Sequence, residues 1–216
     1  MNGANIVNGL AALLIVTSIL VIDAKRPSRA ALLYSLQSLV LVSVFIALAF
    51  FTGARQLYLW ALTGFATKVV LVPTILYLTL RKFDQAAPIP SMMKPAVSIV
   101  LAAVALTASA VVVMRINLPG AAAFKPALMV SFAHFFLGLV CIITQRNILK
   151  QVFGYCLMEN GSHLTLALLA HQAPELVEIG VATDAIFAVI VMTVIATRIQ
   201  ATVHSLDSHD LMTLKG

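Results

Sequence analysis

The sequence predicts an all-α integral membrane protein with seven transmembrane helices, its N-terminus outside and its C-terminus in the cytoplasm. Three observations predict this. Hydrophobic residues make up 61% of the 216 residues and charged residues only 10%, whereas a soluble domain carries roughly a quarter of its residues charged. The apolar residues gather into seven runs of membrane-spanning length. The basic residues fall in alternate connections between those runs. With a mean hydropathy of +1.02 there is too little polar surface for water to be the solvent. A soluble enzyme, a disordered tail and a secreted disulfide scaffold are excluded.

A spanning helix needs about 20 mostly apolar residues, with about 17 the practical minimum. The runs are 6–22, 30–51, 57–80, 96–114, 127–143, 148–169 and 179–199. The first has no Lys or Arg ahead of it, whereas signal peptides open on a basic region, so it reads as a retained helix. Each break carries charge or turn residues: 23–29 with Pro27, 52–56, 81–95 with its prolines, 115–126, 144–147, and 170–178 with Pro174. None of the runs shows the strict alternation of barrel strands. The helices divide the chain into a four-helix part (1–125), a three-helix part (126–200) and a tail (201–216).

The net charge of +6 and pI of about 9.6 would suggest nucleic acid in a soluble chain, but in a membrane chain Lys and Arg first set topology. The connections after helices one, three and five, with the C-terminal end, hold ten of the 14 basic residues: Lys25, Arg26, Arg29, Arg81, Lys82, Lys94, Arg146, Lys150, Arg198 and Lys215. The opposite side holds three, Arg55, Arg115 and Lys125. This bias puts the C-terminus in the cytoplasm. The remaining basic residue, Lys68, lies inside the third helix.

A charge at the bilayer centre costs about 2.5–3.5 kcal/mol on insertion scales, so intramembrane ionisable groups are functional candidates. Four stand out: Lys68, His134, Glu159 and Asp184. Lys68 lies about 13 residues from Arg81, His134 about 10 from Thr144, Glu159 about 11 from Ile148 and Asp184 about 14 from Arg198. At about 1.5 Å per residue, all four lie roughly 15–21 Å from the cytoplasmic boundary, near the middle of a core about 30 Å thick. A base, an imidazole and two acids in one layer could pass a proton sideways through waters. His163, one turn from Glu159 on the same helical face, extends the set outward. A plain packing pair of Lys68 with Glu159 or Asp184, and a neutral hydrogen-bonded His134, are the structural alternatives. Pro73 leaves the Val69 carbonyl without its helical partner, which allows a kink beside Lys68.

Other chemistry finds little support. Cys141 and Cys156 both fall in spans, without C-x-x-C or Cys/His spacing of metal type. There is no Gly-rich phosphate loop and no nucleophile elbow. His134 and His163 differ in depth by about five residues, roughly 8 Å, a poor match for two axial haem ligands, and His171 lies in or beside the outer connection. No catalytic site and no cofactor are expected in this chain.

From about Pro126 onward, Phe136-Leu137-Gly138-Leu139, Gln145-Arg146-Asn147-Ile148-Leu149, Gly154 and Leu157-Met158-Glu159-Asn160 resemble the NuoK-type small subunit of respiratory complex I. That family has three membrane helices with buried acids on the second and third and a short cytoplasmic tail, as Asp184 and the final Leu214-Lys215-Gly216 would supply. Aligned without gaps, its first Glu position falls on Cys156, which makes Glu159 a displaced equivalent three residues later. Asp184 replaces the second Glu, and the segment between the acids is shorter.

With four helices ahead of that part, the whole resembles the HyfE family, component E of hydrogenase 4. The resemblance implies a redox-inert subunit in the membrane arm of a nickel–iron hydrogenase complex of the formate hydrogenlyase type. It would lie in a bacterial or archaeal cytoplasmic membrane. Its partners would be antiporter-like and other membrane subunits and the hydrophilic hydrogenase subunits, with nickel, iron and iron–sulfur clusters on those partners. Two other readings remain at this stage, an autonomous secondary transporter and a spacer that conducts nothing. The transporter calls for paired repeats, and the two halves of the chain show no self-similarity.

Overall fold

A computed structural model of the chain describes residues 3–81, 95–116, 119–170 and 175–208. Lys82, Lys94, His171, Pro174 and Lys215 lie outside the described residues. Within them the fold is helical: α1 (Gly3–Asp23), α2 (Pro27–Thr52), α3 (Gln56–Gly64), a π-helical segment (Phe65–Leu71), α4 (Val72–Leu80), α5 (Pro95–Arg115), a 3₁₀ turn (Pro119–Phe124), α6 (Lys125–Thr144), α7 (Ile148–Leu169) and α8 (Glu175–Val203).

Local chemistry sets the ends. Pro27 opens α2, where its missing N–H would have had no partner anyway. Gly53 closes it in the left-handed region at φ 71°, its N–H donating to the Ala49 carbonyl, a cap that a Cβ would strain. Asn147 caps α7 by accepting from the Leu149 N–H at 2.9 Å.

The third run is helical throughout but not α-helical throughout. Between α3 and α4 the chain widens to a π-helix, and the Val72 N–H donates to the Thr67 carbonyl five residues back. Pro73 explains the local need: without an N–H it leaves the Val69 carbonyl free. The Ser35 hydroxyl of α2 donates to that carbonyl at 2.8 Å, so the defect is repaired from a neighbouring helix.

The last run departs from expectation at its start. α8 begins at Glu175 rather than at 179 and continues to Val203. The sequence places Glu175 and Glu178 in the polar connection before this run, whereas the backbone is already helical there. Asp184 therefore lies nine residues past the start of its helix rather than five.

Among the described residues, six helical stretches are long and apolar enough to cross a membrane, the third of them running from Gln56 to Thr79. The chain is thus a multi-pass membrane protein. α7, at 22 residues, is long enough by its rise of about 1.5 Å per residue but is not among the six, because it carries Lys150, Gln151, Glu159, Asn160, Ser162 and His163. Its neighbours α6, α2, α8 and α1 pack around it, so Asn160 and His163 are buried against protein, while Ser162 is exposed.

End contacts order the bundle. Lys150 Nζ donates to the Ile22 carbonyl at 3.1 Å, and Ser98 donates to Asp23 at 2.9 Å. The segment after α8 turns at His204 (φ 56°) and returns to the α6–α7 connection, where the Ile148 N–H donates to Leu206 and the Ser208 N–H to Arg146. Thr79 lies beside Thr197 and Arg198. At the other end Asn8 donates to the Ala123 carbonyl and accepts from the Ala127 N–H.

The core has two large apolar halves and a small third cluster of Ala102, Ala105, Ala133 and Leu137. One half contains Leu14, Leu41, Phe45, Trp60, Leu128 and Leu164; the other half contains Val21, Tyr34, Val72, Cys141, Phe153 and Leu157. Along five of the rods the residues between these halves are polar: Ser18 of α1, Gln37 and Ser38 of α2, Lys68 of the π-segment, His134 of α6, and Glu159 and Asn160 of α7. All but Glu159 are fully or almost fully buried, and Glu159 is 11% exposed.

A candidate proton-handling site in the polar belt

The site forms where α7 meets the π-segment. Lys68 is 1% exposed, and its ammonium contacts the Glu159 carboxylate at 2.5 Å and the Asn160 amide oxygen at 2.9 Å. The widened turn aims this side chain inward, in keeping with the tendency of π-bulges to occur at functional positions. The pairing left open by the sequence is thereby settled: Lys68 meets Glu159, not Asp184.

From Asn160 the hydrogen bonds continue across the bundle. Asn160 Nδ2 donates to Gln37 Oε1 at 2.8 Å and contacts the Ser38 hydroxyl at 3.3 Å. Gln37 Nε2 meets His134 Nε2 at 3.0 Å, His134 Nδ1 meets the Ser18 hydroxyl at 2.7 Å, and Ser18 donates to the Leu14 carbonyl at 2.5 Å. One unbroken chain thus links Lys68 to His134 through two amides. A buried polar group without a partner costs about 1–3 kcal/mol; here each member satisfies the next.

Glu159 also faces outward. With Asp184, Tyr155, Ser162 and His163 it lines a cleft of about 310 Å³, room for about ten waters at about 30 Å³ each. Asp184 is exposed on α8 and, among the described residues, joins the site through this cleft, so the expected layer is two groups of residues that meet at Glu159. His163 is buried with its ring against Phe45 at 4.9 Å and Trp60 at 5.3 Å between centroids. It also borders the cleft. Cys156, at the position where the NuoK-type pattern has its first acid, is buried.

Close packing of α6 on α7 fixes the register. A Cβ at Gly154 would lie 2.9 Å from the Gly138 carbonyl oxygen and 2.9 Å from the Ile142 nitrogen, and one at Gly161 would meet the backbone of Phe135 and Ser131. Small residues let membrane helices approach this closely. Glu159 and Asn160 lie between the two glycines.

Sequence reasoning missed Ser18, Gln37 and Ser38 as site residues, and valued Asn160 only for its place in a family pattern. Each is uncharged, and an isolated Ser or Gln in an apolar run does not betray its depth. The available signal was that Gln37, Ser38 and Asn160 lie well inside their runs; Ser18, four residues from the end of its run, gave none.

Comparison with known proteins adds the family. Residues 126–216 match the family model for NADH-ubiquinone/plastoquinone oxidoreductase chain 4L. Over its full 216 residues the chain is 52% identical to hydrogenase-4 component E of Escherichia coli K12, and equally to that of Shigella flexneri, covering 100% of each. An uncharacterized protein of Mycobacterium tuberculosis is 29% identical over 117 residues, 54% of this chain and 53% of the relative. No solved structure matches. Identity of this degree over the whole length means that the chain belongs to the hydrogenase-4 component E family.

Proposed function

We propose that this protein is a non-catalytic subunit of the membrane arm of a nickel–iron hydrogenase complex of the formate hydrogenlyase type, where it contributes to a lateral mid-membrane proton path beside antiporter-like subunits. Family membership makes it a membrane component of a complex I-related hydrogenase. The proton path is carried by one observation: the buried Lys68–Glu159 pair, set between two apolar halves, with Glu159 also lining a cleft shared with Asp184. An ammonium and a carboxylate in contact can exchange a proton, and the cleft can bring water to the carboxylate. Asp184, His134 and His163 serve as further stations. The nickel–iron centre and the iron–sulfur clusters belong to partner subunits. α7 crosses the membrane as the seventh span, shielded by its neighbours. The N-terminus is outside and the C-terminus faces the cytoplasm of a bacterial or archaeal cell, because ten of the 14 basic residues flank that side.

Normalised to the amount of complex that assembles, Glu159→Gln is expected to leave hydrogen evolution with artificial electron donors intact while lowering proton translocation several-fold, measured in membrane vesicles. Unchanged translocation in a fully assembled variant would overturn the path and leave a spacer.

A further inference from the structure

The hydrogen bonds between Lys68 and His134 have a direction. An ammonium only donates, so Asn160 must present its oxygen to Lys68 and its NH₂ to Gln37. Gln37 then accepts with Oε1, which leaves its NH₂ facing His134 Nε2. That nitrogen must therefore be the ring's acceptor, and the proton lies on Nδ1, donating to Ser18, which donates in turn to Leu14. We propose that Asn160 and Gln37 are positioning residues that tie the protonation of His134 to the charge on Lys68, so that His134 Nε2 takes a proton only when Lys68 has released one.

The coupling is steric and directional. With Lys68 charged, a proton on His134 Nε2 would point at the Gln37 NH₂, donor against donor. When Lys68 passes a proton to Glu159, the Nζ–H bond breaks, an Oε1–H bond forms and the electron pair stays on Nζ. That lone pair can accept from Asn160 Nδ2. Both amides then turn: Gln37 Nε2 donates to Asn160 Oδ1, and Gln37 Oε1 accepts from His134 Nε2–H, a bond formed as the Nδ1–H bond breaks, so that Nδ1 keeps its electron pair and accepts from the Ser18 hydroxyl. The amides carry no proton themselves; they carry orientation. The surrounding titratable groups are Tyr34 of α2, whose hydroxyl neighbours Ser38 and Asn160, with Cys156 and Glu159 of α7. On the His134 side α1 brings Ser18, Ile15 and Ile19 and α5 brings Ala102 and Ala105, so Lys68 is the charge to which His134 responds.

The role of His134 as an alternating station rests on the proton-path reading, but the linkage itself is read without translocation. Infrared spectra of the intact complex in lipid report the imidazole tautomer through its ring-stretch bands, assigned to His134 by their loss in His134→Gln. The wild type should show the neutral Nδ1–H form. Two near-isosteric changes should each put a proton on Nε2. Asn160→Asp leaves no donor for Gln37 Oε1, so Gln37 turns, and Gln37→Glu puts an acceptor directly against Nε2. Each should remove at least half of the Nδ1–H signal, whereas Ser162→Ala, in the outer cleft, should not change it. A wild type with Nε2 protonated, or full Nδ1–H signal in both variants, overturns the linkage. Loss of translocation in Glu159→Gln with an unchanged tautomer response separates the path from the linkage.

Discussion

Lys68→Met is expected to deplete the protein from the membrane, while Lys68→Met combined with Glu159→Gln restores it. The single change leaves the Glu159 carboxylate without its counter-charge in a site where Lys68 is 1% and Glu159 11% exposed. Breaking a buried pair from one side costs about 3–5 kcal/mol, whereas replacing both partners with neutral groups of similar volume is often neutral or stabilising. Against a total stability of about 5–15 kcal/mol, the single loss removes a large share. The Asn160 oxygen also loses its donor, and in the double variant the amide introduced by Glu159→Gln can supply one nearby. Quantitative immunoblotting of membranes should show the single variant reduced at least several-fold and the double variant near wild type. Equal levels of the two would mean that the pair is not buried as described.

The second large effect is expected at the α6–α7 contact. Gly161→Val places a Cβ 2.9 Å from the Ser131 carbonyl oxygen and closer still to the Phe135 backbone, and backbone cannot swing aside. Gly138→Val has the same consequence against Gly154 and Met158. Overpacking costs about 1–3 kcal/mol and more where nothing can relax, and here the helices must separate. That breaks the Thr165–Ser131 hydrogen bond of 2.9 Å and shifts Glu159 and Asn160 away from Lys68 and Gln37. Assembled complex should fall at least tenfold. Gly9→Ala and Gly180→Ala, whose added Cβ would meet nothing within 4 Å, should leave the yield unchanged.

Much of this was legible from residue type and spacing. Charge in an apolar run is rare and expensive, so Lys68 and Glu159 announced themselves, and their similar depths foretold that they could meet. Pro73 pointed to a freed Val69 carbonyl, but the group that satisfies it, Ser35, lies on another helix, and no local rule selects it. Asn160, Gln37 and Ser18 were hidden for a related reason: an uncharged polar side chain mid-span acquires meaning only from what faces it. α7 shows the limit of hydropathy alone. A helix wrapped by other helices meets no lipid on most of its surface, so its Glu, Asn and His are tolerated there. α8 begins earlier than expected because the polar stretch before residue 179 reads as a connection, although its backbone is helical from Glu175.

The central claim is that the Lys68–Glu159 pair belongs to a proton path and is more than packing. The most direct measurement is the ratio of protons translocated to hydrogen evolved by the purified complex in proteoliposomes, with Lys68→Met/Glu159→Gln compared with wild type. The double variant removes both titratable groups without leaving a buried charge, so its assembly is preserved. A ratio lowered several-fold at equal hydrogen evolution is the predicted result; a ratio equal to that of wild type would contradict the account.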